Sequence, residues 1–244
     1  MVTPRPSTPP VPPTHPDPPS RSVGDPPGSG GVGRPQNEAG AGRARLIAFE
    51  GGEACGKSTQ ARRLAERLDA QLTREPGGTT AGERLRALLL DPASGHIDAR
   101  AEALLVAADR AQHVAELVGP TLAAGRHVVT DRFIGSSLAY QGYGRGLDVA
   151  WLRDLSRFAT GGLDADLVIL LDVDPAVAAA RRTDAPDRLE SAGDAFHRAV
   201  EDGYRQLAAA EPERWIRLDG SGSIDDVAAA VDAAVAERLG LVAP

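Results

Sequence analysis

The sequence has a single cysteine, Cys55, which excludes an internal disulfide and fits a reducing compartment. No apolar run approaches the roughly 18 residues of a membrane span. The first residues also lack the apolar core of a secretory signal, so the expected location is cytoplasmic and no membrane partner is expected. Basic residues are not in excess: 27 Lys and Arg stand against 34 Asp and Glu, giving a net charge of -7 and a pI near 5.3. Such a chain has no general attraction to nucleic acid or an anionic membrane. If it binds a phosphate, it must gather its cations at one site. An Asn-Lys-x-Asp string of the kind that reads guanine in switch GTPases is also missing.

What is present divides into two parts. Residues 1–42 hold 12 of the 19 prolines, with Gly and Ser between them and almost no large apolar side chains. Such a segment cannot bury enough apolar surface to offset its ordering entropy. It reads as a disordered, partly polyproline-II tail, either a ligand for a proline-binding module or a dispensable extension. Residues 43–244 are long enough for one α/β domain with a sizeable core. Leu46–Phe49, His127–Thr130 and Leu167–Leu171 read as buried strands, Trp215–Leu218 as a further strand and Gln71–Glu75 as a poorer one. Helical periodicity covers Ser58–Leu68, Ala81–Leu90, Ala99–Leu122, Trp151–Phe158, a stretch opened by Pro175, Ala195–Ala210 and Ile224–Leu239, with a polar loop between Thr183 and Gly193. Strands alternating with helices predict a parallel five-stranded sheet flanked by helices, with ligands at the carboxyl ends of the strands.

Gly51-Gly52-Glu53-Ala54-Cys55-Gly56-Lys57-Ser58, followed by Thr59, matches the phosphate-binding loop G-x-x-x-x-G-K-[ST], after a strand and before a helix. The glycines allow several backbone N–H groups to converge on phosphates, and the helix N-terminus adds positive potential. Lys57 is expected at the β- and γ-phosphates of ATP and the Ser58 hydroxyl on Mg²⁺. Asp131 ends the third strand, either near Mg²⁺ through water or as an anchor for its neighbours. Cys55 lies inside the loop, and no catalytic step needs its thiol.

Further strings follow: Thr73-Arg74-Glu75-Pro76-Gly77-Gly78-Thr79, Ala108-Asp109-Arg110, Asp131-Arg132-Phe133, Ser136-Ser137-Leu138-Ala139-Tyr140-Gln141-Gly142 and Arg145-Gly146. Together they resemble bacterial thymidylate kinase, from about Arg45 to the C-terminus. The resemblance implies a P-loop, nucleoside-monophosphate-kinase fold, transfer of the γ-phosphoryl of ATP to dTMP, and a homodimer. It also implies that Arg132 and Arg86 clamp the acceptor phosphate, that Arg110 reads the thymine edge, and that Ser137 and Gln141 line the base, with Ser136 among the substrate-binding residues. Tyr140 would pack on the sugar, with Glu75-Pro76 forming a turn beside the nucleotide and Glu53 near the sugar hydroxyl or the arginines. The phosphate loop carries no basic residue between Gly52 and Gly56. This resembles members whose lid, here about 181–193, supplies the catalytic arginine; Arg188 is the first choice, with Arg182 on the ATP side. Two residues depart from the pattern: Val106 stands where an aromatic often stacks on thymine, and Ala54 where glycine is usual. The alternative is another nucleotide or deoxynucleoside kinase of the same fold.

Overall fold

β1 (Leu46–Glu50) is buried at every position, as a strand with neighbours on both sides and helices on both faces must be. It pairs in parallel with β3 (Val128–Asp131) and with β4 (Leu167–Asp172). β2 (Gln71–Arg74) adds beside β3, and β5 (Trp215–Asp219) beside β4. The sheet order is therefore β2-β3-β1-β4-β5; five parallel strands are what the sequence led us to expect. The structure, a computed structural model, describes residues 42–181 and 187–242. The expected tail thus lies outside the described residues apart from Gly42, as does Arg182.

Side chains alternate across β1, and the two faces bury different helices. Leu46 and Ala48 join Val128, Val168 and Leu170 in a core closed by Phe133, Leu138, Leu152, Phe196 and Tyr204. Ile47 and Phe49 join Val129, Ile169 and Leu171 against α1 (Lys57–Arg67) and α9 (Ile224–Leu239), through Leu64, Val227, Val231 and Val235. Each such side chain, fully withdrawn from water, contributes about 1.5–3 kcal/mol before chain entropy is subtracted.

The helices follow α2 (Thr80–Leu90), α3 (Ala99–His113), α4 (Gly119–Ala123), α5 (Ile134–Ser137), α6 (Val149–Thr160), α7 (Pro175–Arg181) and α8 (Asp194–Ala210). Several begin on side chains that take up their first N–H groups: Thr79 for α2, Asp98 for α3, Asp148 for α6 and Ser223 for α9. The 99–122 periodicity is realised as α3, a π-helical turn at Val114–Val118, and α4. The Ser136–Gly142 string lies on α5 and a second π-helical stretch, Leu138–Gly144, which the sequence did not foreshadow. No helix among the described residues is long and apolar enough to cross a membrane.

Candidate active site

Two tight backbone positions shape the phosphate loop between β1 and α1. Gly51 has φ +143, and a Cβ there would sit 2.5 Å from the Leu171 carbonyl oxygen. Gly56, with φ +93, enters α1 without a side-chain cap, leaving the first N–H groups of the helix for a ligand. Ala54 also sits in the left-handed region, φ 56, where an L-residue with a Cβ is strained. The departure from glycine at this position therefore costs through the backbone conformation. Lys57 is buried and folds back to donate to the Gly52 carbonyl at 2.7 Å. The Ser58 hydroxyl donates to Asp131 Oδ2, while Asp131 Oδ1 is buried without a hydrogen-bond partner among the described residues.

Opposite this loop is a cavity of about 140 Å³. It is lined by Glu53 from the phosphate loop and by every residue assigned to the acceptor from the sequence: Glu75, Pro76, Arg86, Val106, Arg110, Arg132, Ser136, Ser137, Tyr140 and Gln141. Arg132, at the carboxyl end of β3 with φ 73, holds the two sides together. Its Nη1 donates to the Gly51 carbonyl, Ser136 Oγ and Tyr204 Oη at 3.0–3.1 Å. Its Nη2 reaches Glu53 Oε1 and Tyr140 Oη, and the guanidinium lies over the Tyr140 ring at 5.0 Å. Burial opposes the Arg132 charge, yet the surrounding Tyr140, Glu53, Tyr204 and Asp131 oxygens raise its pKa well above the ordinary value. Arg86 donates to the Pro76 carbonyl, and its pKa is lowered by burial and by the neighbouring Arg74 and Arg132 charges. Asp131 and Asp187 act on Arg86 in the opposite sense but less strongly, and the Arg74, Arg86 and Arg132 cations gathered at that corner suit an anion.

Arg110, fully buried on α3, is fixed through its whole fork. Nε donates to Glu75 Oε2 at 2.8 Å, Nη1 to Ser137 Oγ at 3.0 Å and Ser156 Oγ at 3.4 Å, and Nη2 to the Phe133 carbonyl at 2.9 Å. The second Nη2 hydrogen remains for a ligand. Glu75 in turn bonds His113 Nδ1 at 2.8 Å, whose Nε2 meets Thr73 Oγ1 at 2.7 Å. A guanidinium so held presents one fixed donor to the cavity.

Sequence reasoning missed three side chains that support this arrangement. Glu50, the last residue of β1, accepts from the Phe133 and Ser136 N–H groups, Ser136 Oγ and Tyr204 Oη. Burial raises its carboxyl pKa against those hydrogen bonds. Tyr204 links Glu50 to Arg132 from α8, some 70 residues downstream of the loop it supports. Glu102 on α3 gathers Gln141, Arg145 and Arg188. None belongs to a recognisable string. The one available signal was a glutamate ending an otherwise apolar strand, Leu46–Glu50.

The segment expected to form a lid, about 181–193, is partly described. Arg181 donates to the carbonyls of Gly220, Ser221 and Gly222 after β5, and with those glycines, Thr59, Gln60 and Ile224 it lines a cavity beside Cys55 and Gly56. Arg188, expected over ATP, is tied in this structure to the acceptor side: its Nε donates to the Leu89 carbonyl at 2.7 Å and its Nη2 to Glu102 Oε2 at 2.7 Å. Its neighbours Asp187, Leu189 and Glu190 roof the acceptor cavity, but Arg188 does not line it. The arrangement suits transfer of a phosphoryl group between two nucleotides, one on each side of Glu53 and Arg132.

The family model for thymidylate kinase matches residues 49–231. A thymidylate kinase of Synechococcus sp. (strain JA-2-3B'a(2-13)) is 51% identical over 202 residues, spanning 80% of this chain and 96% of its own length. One from Cutibacterium acnes is 47% identical over 190 residues, spanning 76% and 93%. The crystal structure of thymidylate kinase from Ehrlichia chaffeensis matches with a TM-score of 0.66 at 30% identity, over 79% of this chain and 98% of that one.

Proposed function

The chain belongs to the thymidylate kinase family and phosphorylates dTMP to dTDP with ATP; on that premise we propose how its residues divide the work. One observation carries the reading: the cavity that holds Arg132, Arg86 and Arg110 is also lined by Glu53 of the phosphate loop. The phosphate-loop amides and Lys57 grip the donor's β- and γ-phosphates. Arg132 and Arg86 take the acceptor phosphate in the corner where they meet. Glu53 occupies part of the Arg132 fork in this structure and yields it to the phosphate, keeping Tyr140 Oη, to which it is bonded at 2.8 Å, beside the sugar. Arg110 donates to thymine O4 while Ser137 and Gln141 complete the edge. Val106, one helical turn before Arg110, offers a small aliphatic contact in place of an aromatic stack.

Phosphoryl transfer needs charge neutralisation and alignment more than a strong base. Mg²⁺, bound with ATP, supplies part of that neutralisation. Ser58 and the unpartnered Oδ1 of Asp131 fit its preference for one or two protein oxygens plus water and phosphate. The adenine end lies in the cavity between Thr59, Arg181 and the loop Gly220–Gly222. Arg182, outside the described residues, keeps the ATP-side role that the family resemblance assigns to it. Arg188 serves the transfer only from a second lid position, having first left Glu102 and the Leu89 carbonyl. Closure excludes water and so limits hydrolysis of ATP. The enzyme works in the cytoplasm as a homodimer. Its contact face is the neighbouring pair α3 and α6, which exposes Leu104 (53%) and Phe158 (86%) together with Trp151.

A panel of dTMP, dUMP, dCMP, dGMP, AMP and thymidine, each with ATP and Mg²⁺, tests the acceptor. The highest kcat/KM is expected for dTMP. A preference for any other acceptor contradicts the assignment.

A further inference from the structure

Glu102 is fully buried on α3, yet it is not among the residues that line the acceptor cavity. Its two oxygens are taken up by protein donors. Oε1 accepts from Gln141 Nε2 at 2.9 Å and Arg145 Nε at 3.2 Å; Oε2 accepts from Arg145 Nη2 at 3.1 Å and Arg188 Nη2 at 2.7 Å. A carboxylate has about four lone-pair sites, so this one has none left for a substrate. Burial works to neutralise it, but the bonds from Arg145, Gln141 and Arg188 prevail and keep its pKa below the ordinary value.

An ionised carboxylate only accepts hydrogen bonds. Gln141 must therefore turn its NH₂ toward Glu102, as it does here. Its other end, Oε1, becomes the acceptor available to the cavity that Gln141 lines. The bases differ there. Thymine carries a hydrogen on N3 and needs an acceptor; cytosine N3 is itself an acceptor and needs a donor. An amide free to turn would serve both. An amide held by a carboxylate serves thymine and leaves cytosine facing lone pairs, and a buried mismatch of that kind is a strong basis for rejection.

We propose that Glu102 is a specificity-determining positioning residue: it locks the Gln141 amide with its carbonyl oxygen toward the base and ties that amide, through Arg188, to the roof of the pocket at 187–190. This rests on the reading that Gln141 faces the base of dTMP. Arg188 completes the tie, since its backbone N–H also donates to the Leu90 carbonyl at 2.9 Å. The tie therefore connects the C-terminal end of α2, α3 and the Leu138–Gly144 stretch through one carboxylate. Arg145, stacked on Phe196 at 4.5 Å, brings α8 to the same point. As long as Arg188 stays on Glu102, base choice and roof position thus share one anchor that is not among the residues lining the cavity.

Glu102→Gln tests this, because an amide at 102 can donate as well as accept and so permits Gln141 to turn. The measurements are KM for dTMP, the inhibition constant of dCMP against dTMP, KM for ATP and thermal stability, on the wild type, Glu102→Gln and Gln141→Ala. The dTMP-over-dCMP preference is expected to fall about tenfold or more in Glu102→Gln, the scale of one hydrogen bond to a charged group, with KM for ATP unchanged. A fall in Gln141→Ala with none in Glu102→Gln overturns the role of Glu102 and leaves the acceptor site standing. No fall in either variant overturns the placing of Gln141 at the base. A loss of stability in Glu102→Gln with the preference intact makes Glu102 a structural residue only and also overturns the proposal. If Glu102→Gln does not fold, Glu102→Asp is read instead: it keeps the charge but withdraws the carboxylate by one methylene, and it is expected to lower the preference in the same direction.

Discussion

Replacing Ala54 by glycine is expected to stabilise the protein. Ala54 has φ 56, in the left-handed region, where a Cβ costs about 1–2 kcal/mol. Glycine removes that cost but gives the unfolded chain more freedom, offsetting roughly 0.4–1 kcal/mol. The net gain is about 0.5–1 kcal/mol, which for a folded region of this size corresponds to a rise in Tm of roughly 1–4 °C. The neighbouring Gly51, Gly52 and Gly56 keep their conformations, so the loop's N–H groups stay where phosphate would meet them, and KM for ATP and dTMP should not move. Thermal unfolding of the two proteins in matched buffer, with and without ATP, reads both parts. If Ala54→Gly melts at the same temperature as the wild type or below it, the loop in solution does not hold residue 54 at positive φ, and the account of the phosphate loop as a strained cradle fails. A changed KM for dTMP alone would show that residue 54 acts on the acceptor side.

Two further expectations rest on burial and charge. Phe158→Asp places a charge on the most exposed large apolar side chain of the α3 and α6 face; sedimentation should show a shift from dimer to monomer, and an unchanged dimer would move the interface elsewhere. Glu102 has a folded pKa below its ordinary value of 4.5, so its stabilisation is complete above about that pH and is lost as pH falls through the depressed value. The stability difference between wild type and Glu102→Gln should accordingly be constant near neutral pH and narrow below pH 4.5; a gap that widens with acid would reverse the sign.

The parts of the fold written in local sequence were legible. Leu46–Phe49 is an apolar run between Arg45 and Glu50-Gly51, Leu167–Leu171 one between Asp166 and Asp172, and both are strands paired on two sides. The helix Ile224–Leu239 is recovered to the residue, because Ser223 caps one end and Gly240 closes the other. The acceptor residues were legible as strings, and the structure brings them to one cavity. The supports were not. Glu50 and Ser136 lie 86 residues apart, and Glu50 and Tyr204 154 apart, and no local pattern records such a contact. Leu138–Gly144 could not be read as helical from a stretch containing two glycines, since its conformation is fixed by packing against α8. Arg188 sits beside acids on both sides of a turn, and only the fold shows that Glu102 rather than a phosphate holds it here.

The central claim is that Arg132 grips the acceptor phosphate across the cleft from the donor. Arg132→Ala removes the guanidinium and leaves a Cβ, so the Cβ cost of the left-handed φ 73 is the same in both proteins. Titration calorimetry with dTMP and, separately, with an ATP analogue and Mg²⁺ tests it. The account predicts dTMP binding weaker by about 100-fold, the equivalent of ~3 kcal/mol from two charge-assisted hydrogen bonds, with ATP-analogue binding nearly unchanged. Equal weakening of both nucleotides would contradict it.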